Sequence, residues 1–198
     1  MNSEAETATE RGPGRPREPE IDQRILDAAL HLMAQGGYVR MSMDQVATEA
    51  GVTKPTIYRR YPNKNRLALA AIVAFCDKNP PVYSGDTCDD LIAQMRQLQQ
   101  ALGRPHGMSM LGTMLAEEHE TPELLANFRE YLVFPRRHAI AGILERAQAR
   151  GELRAGVDLE LSANMLVGAY YAQYLSGMPF SADWPERVVD AALAGIKA

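Results

Sequence analysis

Apolar residues recur every three or four positions along most of this 198-residue chain, and no stretch of useful length alternates apolar with polar. That period belongs to helices packed by one face, so the pattern predicts an all-α fold. Ile21, Ile25, Ala28 or Ala29, and Leu32 mark a first helix over 20–35, stopped by Gly36-Gly37. Two short helices are expected on either side of Gly51. A fourth should run from near Asn63 to about Lys78, before Pro80-Pro81 and Gly85 break the chain. Leu91, Ile92, Met95, Leu98 and Leu102 predict a helix over 86–102, ended by Gly103; Met108, Leu111, Met114 and Leu115 predict another over 105–119. Thr121-Pro122-Glu123 starts a helix that could reach Arg150. Pro135 would kink or split it, because proline offers no N–H to the carbonyl of Tyr131. Asp158 caps a helix to about Leu175, and Asp183-Trp184-Pro185-Glu186 caps the last. Residues 1–19 lack apolar periodicity and are expected to be disordered when free.

The two short helices around Gly51 carry the most specific chemistry. Ser42 and Gln45 have the spacing of a capping box, in which each side chain bonds the other residue's backbone N–H. Val46 and Ala47 give the first helix an apolar side, Gly51 suits a turn needing positive φ, and Val52 can plug the angle between the helices. Thr53 is a good N-cap for the second helix, with Pro55 in its first turn, where a missing N–H is harmless. With Ile57 pointing inward, Lys54, Thr56, Tyr58, Arg59 and Arg60 remain outward. A helix-turn-helix that reads DNA needs this distribution. The start of its second helix meets base edges, while flanking hydroxyls and cations meet phosphates.

Charge supports the division. Residues 40–66 hold six Lys or Arg (40, 54, 59, 60, 64 and 66) against Asp44 and Glu49, in a chain of net charge −4. Over residues 11–66 the balance is ten against six; over 67–198 it is eleven against sixteen. Local cationic excess on an acidic protein is what phosphate neutralisation requires. The polar, acidic N-terminus has neither a cationic n-region nor an apolar h-region, so no signal peptide is expected. The longest apolar run, Leu67 to Cys76, is half a membrane span. Cys76 and Cys88 have no metal or redox spacing, and a cytoplasmic protein with no membrane association is expected.

The segment from about Ile21 to Leu67 resembles the DNA-binding domain of the tetracycline-repressor (TetR) family of bacterial transcriptional regulators. Matching features are Ile25, Ala28, Leu32 and Gly36-Gly37-Tyr38, then Ser42, Val46-Ala47, Ala50-Gly51-Val52-Thr53, Thr56-Ile57-Tyr58, Tyr61 and Asn63-Lys64. The remainder is similar only in length and helicity. The resemblance implies an all-α homodimer binding a palindromic double-stranded operator, released when a small apolar or amphipathic effector occupies the second domain. Its domains would be a basic arm at 1–19, a DNA-binding domain at 20–66, and a ligand-binding and dimerisation domain at 67–198. By family position Lys54, Pro55 and Thr56 are base-edge candidates, and Arg40, Ser42, Tyr58, Arg59, Arg60 and Lys64 are phosphate candidates. Asp44 stands where some relatives carry a basic or polar reader. Activation in place of repression, and response to a protein partner, remain open readings.

Further candidates follow with less support from pattern. Pro13-Gly14-Arg15-Pro16-Arg17 resembles an AT-hook core, whose arginines would enter a narrow minor groove. Met95, Met108, Met114, Phe128, Tyr131 and Tyr170 could line an adaptable pocket, although Met and aromatic stripes more often fill a core. The family dimerises through its terminal helices, where Leu159, Ala163, Leu166 and Tyr174 form one stripe and Val188 and Ala192 belong to another. Glu117-Glu118-His119-Glu120 is the densest acid and histidine cluster, but it lacks a second histidine at i+4 and a nucleophile–base pair. No catalysis, metal or cofactor is expected.

Overall fold

The computed structural model describes residues 18–75 and 83–198. Arg15 and Arg17, most of the arm expected to be disordered, Cys76 and Pro80-Pro81 lie outside the described residues. Among those described there are ten α-helices, one π-helical turn and a single isolated β-bridge. The order is α1 (Glu18–Arg40), α2 (Met43–Glu49), α3 (Lys54–Arg60), α4 (Lys64–Phe75), α5 (Thr87–Gly103), α6 (Gly107–Ala116), α7 (Pro122–Phe128), the π turn (Arg129–Val133), α8 (Phe134–Ala149), α9 (Leu159–Leu175) and α10 (Trp184–Ile196). None of these helices is long and apolar enough to cross a membrane.

Most boundaries follow local chemistry. Ser42 and Gln45 make the capping box: the Gln45 N–H donates to Ser42 Oγ at 3.2 Å, and Ser42 N–H donates to Gln45 Oε1 at 2.9 Å. Asp86 and Asp158 accept at 2.9 Å from Asp89 and Leu161, capping α5 and α9. Each such cap contributes about 1 kcal/mol. Asp183 departs from expectation, since it sits at the α10 N-cap without a side-chain cap bond. So does α1. It begins at Glu18, inside the expected arm, and breaks at Gly37 (φ +79°) before a last turn to Arg40. Pro135 acts differently from a plain kink. The chain widens into the π turn, with Phe134 N–H donating to Arg129 O, and the proline then falls in the first turn of α8.

Two clusters of buried side chains fill the interior. The first joins Ile25, Met33, Val46 and Ile57 of the N-terminal helices to Leu67 and Ile72 of α4, Met110 and Met114 of α6, and Leu124 and Phe128 of α7. The second joins Leu91, Met95 and Leu98 of α5 to Ile140 and Leu144 of α8, Leu166 and Tyr170 of α9, and Trp184 and Leu193 of α10. The first cluster therefore runs across position 66. A buried bond reinforces it there: Thr113 Oγ1 on α6 donates to Met33 O on α1 at 2.9 Å. The α8–α9 loop and the chain's end are tied by the Leu153–Lys197 bridge, with Arg154 N–H to Ile196 O at 2.9 Å.

Candidate nucleic-acid interface

Helices α2 and α3 meet at Gly51, which takes φ +62°. Arg24 of α1 donates to Gly51 O at 3.0 Å and holds the turn from behind. Ile57 is fully buried against the same cluster as Val46 and Ala47, with Val52 packed at its edge. Burying a side chain of that size stabilises by about 1.5–3 kcal/mol, which is enough to orient a seven-residue helix too short to hold itself. One side of α3 is thereby committed inward. The other presents Lys54, Pro55, Tyr58 and Arg59 to solvent, with Thr56 half-buried among them. Thr53 occupies the N-cap position without capping; its hydroxyl lies 2.9 Å from that of Thr56.

Lys54 is not a free cation. Its Nζ donates to Asp44 Oδ2 at 2.6 Å, and both side chains stay more than half exposed, 62% and 56%. The hydrogen bond and the charge of Asp44 raise the Lys54 pKa above the ordinary lysine value. The pair bridges the first turns of α2 and α3 on the outward side. The sequence marked both residues without revealing that they touch.

The expected phosphate candidates divide. Tyr58 and Arg59 on α3, and Arg40 at the end of α1, are exposed. Ser42 is half-buried, and its hydroxyl is engaged in the capping box. Arg60 is turned inward, contrary to expectation: only 12% of its side chain is exposed, and Nε donates to Asp22 Oδ1 at 2.6 Å, lashing α3 to α1. Lys64 likewise faces the protein. Its ammonium donates to Tyr38 O at 2.9 Å and Val39 O at 3.1 Å, and lies 4.1 Å from the centre of the Tyr38 ring. Burial lowers the Lys64 pKa, against a smaller opposing effect of Glu117. Both cations tie elements together, Arg60 through the Asp22 carboxylate of α1 and Lys64 through the carbonyls just beyond Gly37.

In the second half, the six residues expected around a pocket are not brought together. Met114 and Phe128 are buried in the first cluster, Met95 and Tyr170 in the second. Met108 is half-buried beside the second, and Tyr131 is 47% exposed. Tyr170 stacks on Phe180 at 4.7 Å and meets Trp184 edge-on at 5.7 Å, closing the α9–α10 turn. These side chains fill cores, as such stripes usually do. Of the expected dimer residues, Ala163 and Leu166 are buried within the chain, and Leu159, Val188 and Ala192 are half-buried. Tyr174 is exposed. A further apolar stripe of α9 runs through Leu161, Met165, Gly168, Ala172 and Leu175, spaced four and three residues apart; all but the half-buried Gly168 are exposed, Met165 at 64% and Leu175 at 79%. Of the sequence stripe on α9, Ala163 and Leu166 face the core while Tyr174 faces out, and the helix is apolar on two sides. His119 sits exposed in the turn after α6, and among the described residues no group of three or more His, Cys, Asp and Glu could hold a metal ion.

Comparison with known proteins agrees with the N-terminal geometry and extends beyond it. Residues 25–71 match the family described as bacterial regulatory proteins, tetR family, and residues 81–192 match the tetracyclin repressor-like C-terminal domain. The DNA-binding transcriptional repressor TetR of Mycobacteroides abscessus is 33% identical over 172 residues, covering 85% of this chain and 90% of that protein. The HTH-type transcriptional regulator YdeS of Bacillus subtilis is 26% identical over 187 residues, 93% and 94% of the two chains. Among solved structures, the flavonoid-responsive regulator FrrA superposes with a TM-score of 0.69 at 24% identity, covering 89% of this chain and 95% of that one. Matches to both halves, joined to a presented α3 and its glycine turn, establish that this chain belongs to the TetR family of helix-turn-helix transcriptional regulators.

Proposed function

We propose that the chain is a repressor that binds a palindromic operator as a homodimer and lets go when a small molecule occupies its second half. The observation that carries the DNA-reading half is α3: Ile57 pins one side into the core, leaving Lys54, Pro55, Thr56, Tyr58 and Arg59 along the other. In a dimer, two such helices would enter successive major grooves about one helical turn apart. Lys54 would read guanine O6 or N7, and Thr56 or Pro55 would meet a thymine methyl. Tyr58, Arg59 and Arg40 would take phosphates, with Arg15 and Arg17 of the arm in the adjoining minor groove. Arg60 and Lys64 act as braces in this scheme, with any phosphate contact secondary. The apolar stripe of α9 and the exposed Ala191, Ala194 and Gly195 of α10 would meet a second copy.

Repression and ligand release are supported by relatives: one is named a transcriptional repressor, and another is described as flavonoid-responsive. The test is selection of bound duplexes from a random library, with a Lys54→Ala/Arg59→Ala double variant as control. An inverted repeat enriched by the wild type and not by the variant is expected. Equal enrichment by both would refute the assignment of α3 as the reader.

A further inference from the structure

A cavity of about 270 Å³ lies where the π turn, the first turn of α8 and the middle of α9 converge. That is just below the roughly 300–1,000 Å³ typical of small-molecule sites, room for a small ligand only. Its polar lining is Arg136, Arg137 and Asn164; its apolar lining includes Leu132, Val167 and Tyr171. Two guanidinium groups and no carboxylate are among its lining residues, although Glu160 pairs with Arg137 from outside the lining. This contrasts with the surrounding segment, where 67–198 carries eleven Lys or Arg against sixteen Asp or Glu.

Arg137 is only partly satisfied. Its Nη2 donates to Glu160 Oε2 at 2.5 Å, which fixes the outer edge of the guanidinium, while Nε is buried with no hydrogen-bond partner. A planar donor group anchored on one edge and missing an acceptor is pre-organised for a planar or tetrahedral oxyanion. Tyr171 bears the mark of the same surroundings: burial raises its pKa, and Arg136 opposes the shift.

We infer that this cavity binds a small amphipathic anion, a carboxylate or phosphate monoester whose head meets Arg136 and Arg137 and whose short tail lies on Leu132, Val167 and the Tyr171 ring. The cavity also has a route to α3. The π turn continues directly from α7, whose Leu124 and Phe128 are buried with Leu67 and Ile72 of α4, and α4 follows α3 after three residues. An anion drawing on the first turn of α8 would act on the π turn, where the helix changes register. This makes the bound anion the effector, a step that rests on the operator-binding reading; the binding itself does not.

Four probes with one tail separate the chemistry: hexanoate, hexyl phosphate, 1-hexanol and hexylamine, titrated into the full-length protein by calorimetry and thermal shift. Saturable binding by one or both anions, and not by the alcohol or amine, is expected, and which anion binds more tightly identifies the head. Arg137→Gln should weaken that binding by about tenfold or more, while the exposed Arg187→Gln should leave it unchanged. Arg137→Lys, which keeps the charge without Nε, guards against reading a folding defect as lost recognition and should restore only part of the affinity. Equal binding of the alcohol, wild-type affinity in a folded Arg137→Gln, or no saturable anion binding would overturn the site. Anion binding that leaves affinity for a selected operator unchanged would overturn the effector role. A failed duplex selection with hexanoate still bound would count against the regulator reading and leave the anion site standing.

Discussion

On the proposed reading surface, Asp44 is the side chain that would temper binding. Its carboxylate neutralises Lys54 at 2.6 Å on the outward side of α3 and presents an acceptor of its own, suited to cytosine N4. Asp44→Asn should therefore bind random duplex more tightly, with the slope of log affinity against log salt steeper by about one. Binding titrations across salt concentrations measure this; an unchanged slope would show that Lys54 does not displace counterions. Asp90 is the structural counterpart. Although burial alone would raise its pKa, it accepts from Ser84 N–H at 2.6 Å, Ser84 Oγ at 2.8 Å and Gly85 N–H at 3.3 Å, and the net shift is downward. A carboxyl with a depressed folded pKa contributes stability above its unfolded value of about 3.9 and loses it as pH falls through the folded value. Wild type should thus exceed Asp90→Asn by about 1.5–3 kcal/mol near neutrality, a gap that narrows in denaturant titrations below about pH 4. The identity of such residues was legible in the chain, but their partners were not: Arg60 finds Asp22 from 38 positions away, and Lys64 finds Tyr38 O from 26.

Elements whose signals are local were readable, and those decided by tertiary contact were not. The capping box at Ser42, the turn at Gly51 and the cap at Asp158 are contained within a few residues, so their expected geometry is what is found. Helix α9 is the opposite case. Periodicity found its apolar residues but could not say which stripe meets α8 and α10 and which is left outside. The break between α5 and α6 at Gly103 was legible, but the tight geometry that follows it was not. His106 adopts φ +72° there, and a Cβ on the buried Gly107 would lie 2.4 Å from Leu102 O. Because that neighbour is backbone, Gly107→Ala should destabilise by about 1–3 kcal/mol or more. Gly112→Ala, on the same helix with open space around it, should instead be neutral or gain about 0.5–1 kcal/mol. Paired chemical melts decide; equal effects would refute the clash.

Assembly belongs to the scale of the whole molecule. The outward stripe of α9 repeats at the four-and-three spacing that suits packing against a second helix. Met165→Glu/Leu175→Glu should turn a dimer into a folded monomer by sedimentation and weaken operator binding far more than any single phosphate contact; a persisting dimer would place the interface elsewhere. The two buried clusters have a consequence for engineering. Met110 and Met114 of α6 and Leu124 and Phe128 of α7 complete the interior begun by α1 to α4, and Thr113 is bonded to the Met33 carbonyl. The DNA-reading helices are thus no detachable cassette. A chimeric sensor grafted at position 66 would join one protein's reading helices to another's α6 and α7 across mismatched side chains. Transplanting specificity onto this scaffold is better done by exchanging only the outward residues of α2 and α3, which no buried neighbour constrains.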